Sequence, residues 1–423
     1  MKEILKLGFI GLGCRGMGML KCVYSMFFDR DIQVLAVCDL YEDRAEDARD
    51  FLIEKTGITP LCTTDYQQVL AMDEIDAVIV STSWEAHIEV AIAAMKAGKY
   101  VGMEVGGAYT VDECWELVKT SEETGMHCMM MENCCYGQRE MMVLNMERKG
   151  FLGEIVHCGG GYCHDLRSEI ANGEVNRHYR LRNYLSRNCD NYPTHALGPI
   201  AKTIGINRGN QFVSVSSFSS VAKGLHQYFA DDPEKYEKYL DAEVKQGDVI
   251  TTVITCAGGQ TIVLTLDTTT PRGYSRSYLV KGTKGMYMED NDSLCVDGVN
   301  SDMHIYDWKP MWNNAKDYED RFDHPIWQEI NGDDFKELHG GMDVLVIRAF
   351  IECAKRNIQP PIDVYDAAAW ASISALSAES IQQGSVPVAA PDFTCGKWKN
   401  REEEPMHKYT LGTVVEDHEI SIL

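Results

Sequence analysis

The chain has 423 residues, 45% of them hydrophobic and 25% charged, a composition that fits a folded protein with a large core and more length than one ordinary domain needs. Its 64 acidic residues against 40 Lys and Arg leave a net charge of −24, a surface that repels nucleic acid and anionic membranes and excludes both as partners. Fifteen cysteines, an odd number with no CxxC spacing, lie mostly in apolar runs such as LAVCDL and VITCAGG, and read as core residues in a reducing cytoplasm rather than as a disulfide framework.

LKLGFI reads as a buried strand, residues 16–28 as a helix and IQVLAVCD as a second strand. RAEDARDFLIEKTG is an amphipathic helix ending at Gly57, DAVIVST a third strand, HIEVAIAAMKAGK a helix stopped by Gly98, and YVGMEV a fourth strand. VDECWELVKTSEETG and HCMMMEN repeat the unit. Near-continuous apolar strands alternating with helices predict a doubly wound parallel sheet, a Rossmann domain over residues 1–150. The N-terminal MKEILKLGFIGLG is interrupted by Lys6 and then Arg15, and no run approaches the ~20 apolar residues of a membrane span.

After residue 150 the pattern changes. EIVHCGGGYCHD, QFVSVSSFSSVAKG, VITTVITCAGGQTIVLTLDTTT and SRSYLVKGTKGMYMED are long, alternating and rich in Val and Thr. They predict an α+β domain over residues 151–385 with a large, mostly antiparallel open sheet, interrupted by helices at 195–205 and 341–357. DAAAWASISALSAESIQQG is a last helix, and residues 386–423 are expected to lie on the surface as a tail.

The first strand runs directly into Gly11-x-Gly13-x-x-Gly16, which opens the first helix, and the second strand ends at Asp39. That context is the dinucleotide-binding one: Gly11 permits the tight turn, Gly13 lets the backbone approach a pyrophosphate, and Gly16 lets helix and sheet pack closely. The helix N-terminus offers its unpaired N–H groups to the phosphates. An acidic residue at Asp39 accepts from a ribose 2′-OH and repels a 2′-phosphate, so NAD is the expected cofactor, although Arg44 lies near enough to meet a phosphate.

STSWEAH and GMEVGG, at the ends of the third and fourth strands, resemble the glucose–fructose oxidoreductase/inositol dehydrogenase family, as does HGGMDVLVIRAFIE at 339–352. Dehydrogenases of that family carry Glu-Lys-Pro after the fourth strand, and the lysine helps to move the proton of the reacting hydroxyl; this chain has Glu104-Val105-Gly106. MMMENCCYG, GGYCHDLR, NYPTHALGP, TTTPRGYSR and DAAAWASISALSAESI together resemble a narrower group, the NAD-dependent glycosidases of glycoside hydrolase family 109, known as α-N-acetylgalactosaminidases. Those enzymes also have Glu-Val in place of Glu-Lys, usually followed by proline, from which Gly106 departs.

The resemblance implies that Gly11, Gly13, Cys14, Arg15, Gly16, Asp39, Ser83, Trp84, His87, Glu104, Val105 and Asn133 contact NAD. Tyr162, Arg180, Tyr192, Thr194, His195 and Tyr274 would line the site of a small carbohydrate or glycoside, with the chemistry on Glu132, Tyr162, Tyr192, His195 and Tyr274. It also implies a route unlike the usual pair of carboxylates. NAD oxidises C3 of the sugar, the C2 proton becomes acidic, the C1 aglycone is eliminated, water adds, and C3 is reduced again. Tyrosine is a weak acid or base unless neighbours shift it. His195 is assigned the C3 hydroxyl proton and Tyr162 the C2 proton, with Glu132 and Tyr274 supporting them or serving the leaving group.

Pro193 restricts Tyr192 to an extended backbone and suits the first turn of a helix, which places His195 in that turn. The positive end of the helix dipole there is expected to keep the imidazole neutral. No metal signature is found: HExxH is absent, and the odd spacing of His157 and His164 puts them on opposite faces of a strand. An NAD-dependent sugar or inositol dehydrogenase with net hydride transfer is the alternative, and a non-catalytic NAD-binding regulator a third reading. Net NADH at 340 nm separates hydrolase from dehydrogenase. The large open sheet could also pair between subunits of a dimer or tetramer.

Overall fold

Leu5, Leu7, Phe9 and Ile10 of strand β1 (Leu5–Ile10) are buried, so the strand is covered on both faces, as the centre of a parallel sheet must be. The computed structural model describes residues 2–27, 32–301, 309–329, 339–401 and 404–414. With β1 stand β2 (Ile32–Cys38), β3 (Leu61–Thr63), β4 (Ala77–Val80), β5 (Tyr100–Met103) and β6 (Cys128–Met130), all parallel, in the order β3-β2-β1-β4-β5-β6. The helices Cys14–Phe27, Glu42–Thr56, His87–Lys96 and Val111–Thr124 make the crossovers. Strand order reverses between β1 and β4, and such a switch opens a crevice at the carboxyl ends of the strands. β3 and the helix Tyr66–Leu70 have no counterpart among the expected elements, because LCTTDYQQVL holds three strand residues and little more than one helical turn, too few to show a period.

The second sheet contains β7 (Ile155–Cys163), β8 (Phe212–Ser219), β9 (Val249–Cys256), β10 (Thr261–Asp267), β11 (Leu279–Gly282), β12 (Gly285–Met288), β13 (Ser293–Val296) and β14 (Val388–Ala389). Its order is β13-β12-β11-β7-β10-β9-β8-β14, antiparallel except for the parallel pair β7–β10. One face carries the helix Thr194–Thr203. Gly160 makes that contact possible, since a Cβ there would stand 2.6 Å from Ala196 Cβ. On the opposite face the register aligns Ser216, Val253, Val263, Gly159 and Leu279, and Val253, Val263 and Leu279 remain partly exposed.

Two long helices tie the sheets together. Val364–Gln382, started by a capping box between Asp363 and Asp366, packs on β8 of one sheet and on β6 and the helix Val111–Thr124 of the other. Met342–Arg356 packs on the helix Cys14–Phe27 and on the 3-10 turn Asn133–Tyr136. Of the expected tail, Phe393, His407 and Leu411 are buried, and residues 402, 403 and 415–423 lie outside the described residues. Among the described residues no helix is long and apolar enough to cross a membrane.

Candidate active site

The loop after β1 is shaped by its glycines. Gly11 has φ +93°, and a Cβ on it would meet the Ser81 carbonyl at 2.5 Å; a Cβ on Gly16 would lie 2.0 Å from the Gly11 oxygen. Gly13 faces open space, with only Arg44 Nη1 within 4 Å of its notional Cβ, at 3.5 Å. Asp39 holds the loop against β2, accepting from the Leu12 amide at 2.6 Å and from the Tyr41 amide at 2.9 Å. Cys14 is exposed at the start of the helix.

Farther along the same crevice, Ser83 precedes Trp84, which is buried with its indole N–H unpartnered; His87 is buried with Nε2 unpartnered. Burial pushes the His87 pKa down to about 4, against a smaller pull from Glu85, so the ring is neutral. Ser81 Oγ and Thr82 Oγ1 are likewise buried without partners. Four orphaned polar atoms beside an open glycine loop and an acidic strand end are what a dinucleotide would satisfy, so the residues present fit NAD. Gly106 belongs to this packing: a Cβ there would stand 2.5 Å from both Trp84 Cδ1 and His87 Cε1, leaving no room for proline. Val105 is buried beside it and carries no titratable group.

Arg15 lies 3.1 Å from Glu104 and donates to both oxygens of Asp343, at 2.8 and 3.0 Å. Asn133 Nδ2 and His339 Nδ1 reach the same carboxylate at 2.8 and 2.6 Å. Burial opposes ionisation of Asp343, but His339 and Arg15 overcome it and hold the carboxyl well below its usual range. Asp343, which orients two of the expected cofactor residues, is not among the residues expected from the sequence; an acid in the first turn of an apolar helix is the signal that marks it.

Glu132 follows β6, at the same end of the parallel sheet, and His195 sits in the first turn of the helix on β7. Glu132 Oε1 is 2.7 Å from His195 Nδ1 and accepts from the Cys134 amide at 3.1 Å. Gly198 gives the carboxylate its room, since a Cβ there would lie 2.9 Å from Glu132 Cγ. His195 Nε2 lies 3.4 Å from the Tyr192 hydroxyl. Tyr162 packs on Tyr192 with ring centres 4.5 Å apart, and the edges of His195 and Tyr274 meet Tyr162 at 5.6 and 6.3 Å. Arg180 is buried, its guanidinium 5.1 Å from the rings of both Trp84 and Tyr192, with Nε 2.8 Å from Glu169 and Nη1 unpartnered. Thr194 is wholly buried against Glu132, whereas Tyr274 is 53% exposed at the rim. His164, read only as half of an unsuitable metal pair, belongs here too: its Nδ1 is 3.3 Å from the Tyr162 hydroxyl and its ring 5.1 Å from Tyr274.

The charge state of His195 differs from the sequence expectation. Burial opposes its protonation, but Cys134 and Glu132 together hold its pKa well above the usual value. The partial charge of a helix end is about half an elementary charge spread over several N–H groups, so a full carboxylate at 2.7 Å outweighs it. Glu132 moves the other way: burial opposes its ionisation, yet His195 and its hydrogen bonds keep the carboxyl below the ordinary range. Glu132, Cys134 and His195 also bring three ligand-type atoms within 4.8 Å of one another. The Arg276 guanidinium lies 3.1 Å from Cys134 Sγ, however, and a second cation there would be opposed by it.

The two halves of the chain match two family models: the oxidoreductase family NAD-binding Rossmann fold over residues 5–132, and the glycosyl hydrolase 109 C-terminal domain over residues 136–400. A glycosyl hydrolase family 109 protein of Solibacter usitatus is 39% identical over 412 residues, covering 94% of this chain and 90% of that one. An alpha-N-acetylgalactosaminidase of Tannerella forsythia is 36% identical over 423 residues, covering 94% and 88%. Among solved structures, a levoglucosan dehydrogenase in complex with NADH and L-sorbose shares the fold with a TM-score of 0.65 at 17% identity, covering 92% of this chain and all of that one. An NAD binding oxidoreductase from Klebsiella pneumoniae gives 0.67 at 14%, with the same coverage.

Proposed function

The chain belongs to the glycosyl hydrolase 109 family, and on that premise we propose that it cleaves an N-acetylgalactosaminide or a related hexoside with an NAD that stays bound and is regenerated in each turnover. The observation that carries this reading is where the proton-moving groups stand. Val105, two residues beyond β5, occupies the place of a dehydrogenase's lysine, while Glu132, two residues beyond the neighbouring β6, clusters with His195, Tyr192, Tyr162 and His164.

When bound, NAD supplies reversible hydride exchange at C3 of the sugar. His195 serves the C3 hydroxyl: Glu132 engages Nδ1 and, with Cys134, holds the imidazole pKa high, so the form with Nε2 unprotonated is the active one; that nitrogen takes the proton, and the carboxylate stabilises the imidazolium until the proton returns. Tyr162 removes the C2 proton after passing its own to His164 Nδ1, 3.3 Å away. Arg180 binds a sugar oxygen, Thr194 lines the site from behind by backing Glu132, Tyr192 stands between the two proton sites, and Tyr274 at the rim protonates the departing aglycone. Residues 1–150 form the NAD domain and 151–385 the substrate domain in this reading. The open face of the larger sheet pairs two copies of the chain, because its middle, at Val253, Val263 and Leu279, is apolar and only partly exposed, with the exposed Lys281 two residues along β11 from Leu279.

A panel of nitrophenyl hexosides in deuterated water tests the reading. Aglycone release with deuterium at C2 and no net absorbance at 340 nm is expected. NADH accumulating in proportion to substrate would make the protein a dehydrogenase, and release without C2 deuterium would remove the elimination step.

A further inference from the structure

Residues 176–183 join the two sides of the crevice along its length. At one end Arg177 donates from Nη1 and Nη2 to the two oxygens of Asp43, each at 2.7 Å, and its guanidinium stacks 4.5 Å from the Tyr41 ring. Arg44 also stacks on that ring, at 4.9 Å, and donates to the Asn176 carbonyl at 2.9 Å. At the other end Arg182 grips both oxygens of Glu85 at 2.6 and 2.9 Å, and Asn183 Nδ2 reaches Glu85 at 3.0 Å. The Tyr109 hydroxyl donates to Asn183, and Tyr179 packs against Trp84 with ring centres 4.7 Å apart.

The attachment points define what is spanned. Tyr41 and Asp43 lie just beyond β2 and Asp39; Trp84 and Glu85 lie just beyond β4. Between them Arg44 reaches to within 3.5 Å of the space over Gly13. These are the two rims of the crevice whose floor carries the glycine loop and the orphaned Ser81, Thr82, Trp84 and His87 atoms. Arg177 holds its guanidinium in place from a left-handed backbone, φ 51°, a conformation that a non-glycine residue keeps only where its surroundings impose it.

We infer that residues 176–183 are a clasp across the mouth of the cofactor crevice, and that Arg177 and Arg182 keep NAD from leaving between turnovers. The inference rests on the proposed function, in which the cofactor is recycled rather than exchanged. The construction suits the task. Bidentate arginine–carboxylate pairs are directional, yet each exposed pair is weak and screened by salt, so the clasp opens to load the cofactor only when its links break together.

The test is exchange of bound NAD for excess isotopically labelled NAD in the purified holoprotein, followed by mass spectrometry. Exchange by the wild type should accelerate between about 0.01 and 1 M salt, as the screening length falls from about 30 to 3 Å. Arg177→Gln with Arg182→Gln should exchange about tenfold faster at low salt and respond little to added salt. Asp43→Arg alone should exchange faster than wild type, and adding Arg177→Asp, which reverses that pair, should restore slow exchange, a result that mere loosening of the fold would not give. Equal exchange rates in wild type and the Gln variant would overturn the clasp while leaving recycling intact. A wild type that purifies without NAD would overturn the recycling itself.

Discussion

Glu132 and His195 reach each other across the seam between the two sheets, one from the end of β6 and the other from a helix lying on β7, with Oε1 and Nδ1 2.7 Å apart. The pair exists only when both halves of the chain are docked, and it leaves Nε2 as the imidazole nitrogen turned towards the Tyr192 hydroxyl. Removing the charge while keeping the shape isolates its contribution. Glu132→Gln should lower kcat by about 10²-fold or more, the usual share of a positioned acid–base group. Without the carboxylate, one of the two groups that raise the His195 pKa is gone, Cys134 alone opposes burial, and the pKa falls. The neutral base is then available at lower pH, so the acid limb of kcat/KM should move down. A limb that stays in place would detach His195 from the base role.

Tyr162 and His164 are separable from that pair, and so are their effects. Tyr162→Phe should abolish deuterium uptake at C2 while a single-turnover absorbance change at 340 nm survives, because the hydroxyl lost serves C2 and not C3. His164→Gln keeps a hydrogen-bonding partner 3.3 Å from the phenol but cannot hold a proton, and should slow C2 exchange with the first absorbance change intact. Loss of the absorbance change in Tyr162→Phe would place Tyr162 in the C3 step instead.

Gly106 shows what the sequence could and could not reveal. The motif order named the family, and strand periodicity gave both sheets, because burial on two faces or one writes itself into consecutive residues. Why glycine replaces proline after Glu104-Val105 is a matter of two side chains, Trp84 and His87, which arrive from the preceding βα loop at 2.5 Å. Asp343 meets Arg15 only through packing between segments 328 residues apart, which no spacing in the chain marks, whereas the two-residue spacing of Tyr162 and His164 puts both on one face of a strand and was a legible signal. Gly106→Ala should therefore cost about 1–3 kcal/mol by overpacking and displace Trp84 and His87 from the crevice. Thermal melts with and without NAD should show a lower Tm and a smaller NAD-induced rise; an unchanged rise would mean that neither side chain meets the cofactor.

The open sheet gives a third kind of prediction. Val253 and Val263 are directly paired across β9 and β10 and lie in the middle of the uncovered face. Placing like charges there, as Val253→Glu with Val263→Glu, should leave the monomer folded but dissociate a face-to-face assembly, because unpaired carboxylates cannot be desolvated cheaply. Light scattering on a sizing column reads the mass directly. A mass unchanged from wild type would move the subunit contact to another surface.

Asp190, two residues before Tyr192, carries the last prediction. Burial raises its pKa to about 7, with the Thr252 hydroxyl and the Tyr192 amide opposing the rise. An unfolded aspartate titrates near 3.9, so between about pH 4 and 7 the native state holds a proton that the unfolded state has lost. This contribution to stability is complete below about pH 4 and drains away as pH rises through 7. At about 1.4 kcal/mol per pH unit across that window, its ceiling is roughly 4 kcal/mol. Asp190→Asn cannot ionise and escapes the loss, although its amide N–H at the unpartnered Oδ2 position costs about 1–3 kcal/mol at every pH. The variant should melt below wild type at pH 4 and recover relative to it by pH 8. A gap that does not change with pH would show that Asp190 is ionised throughout the range.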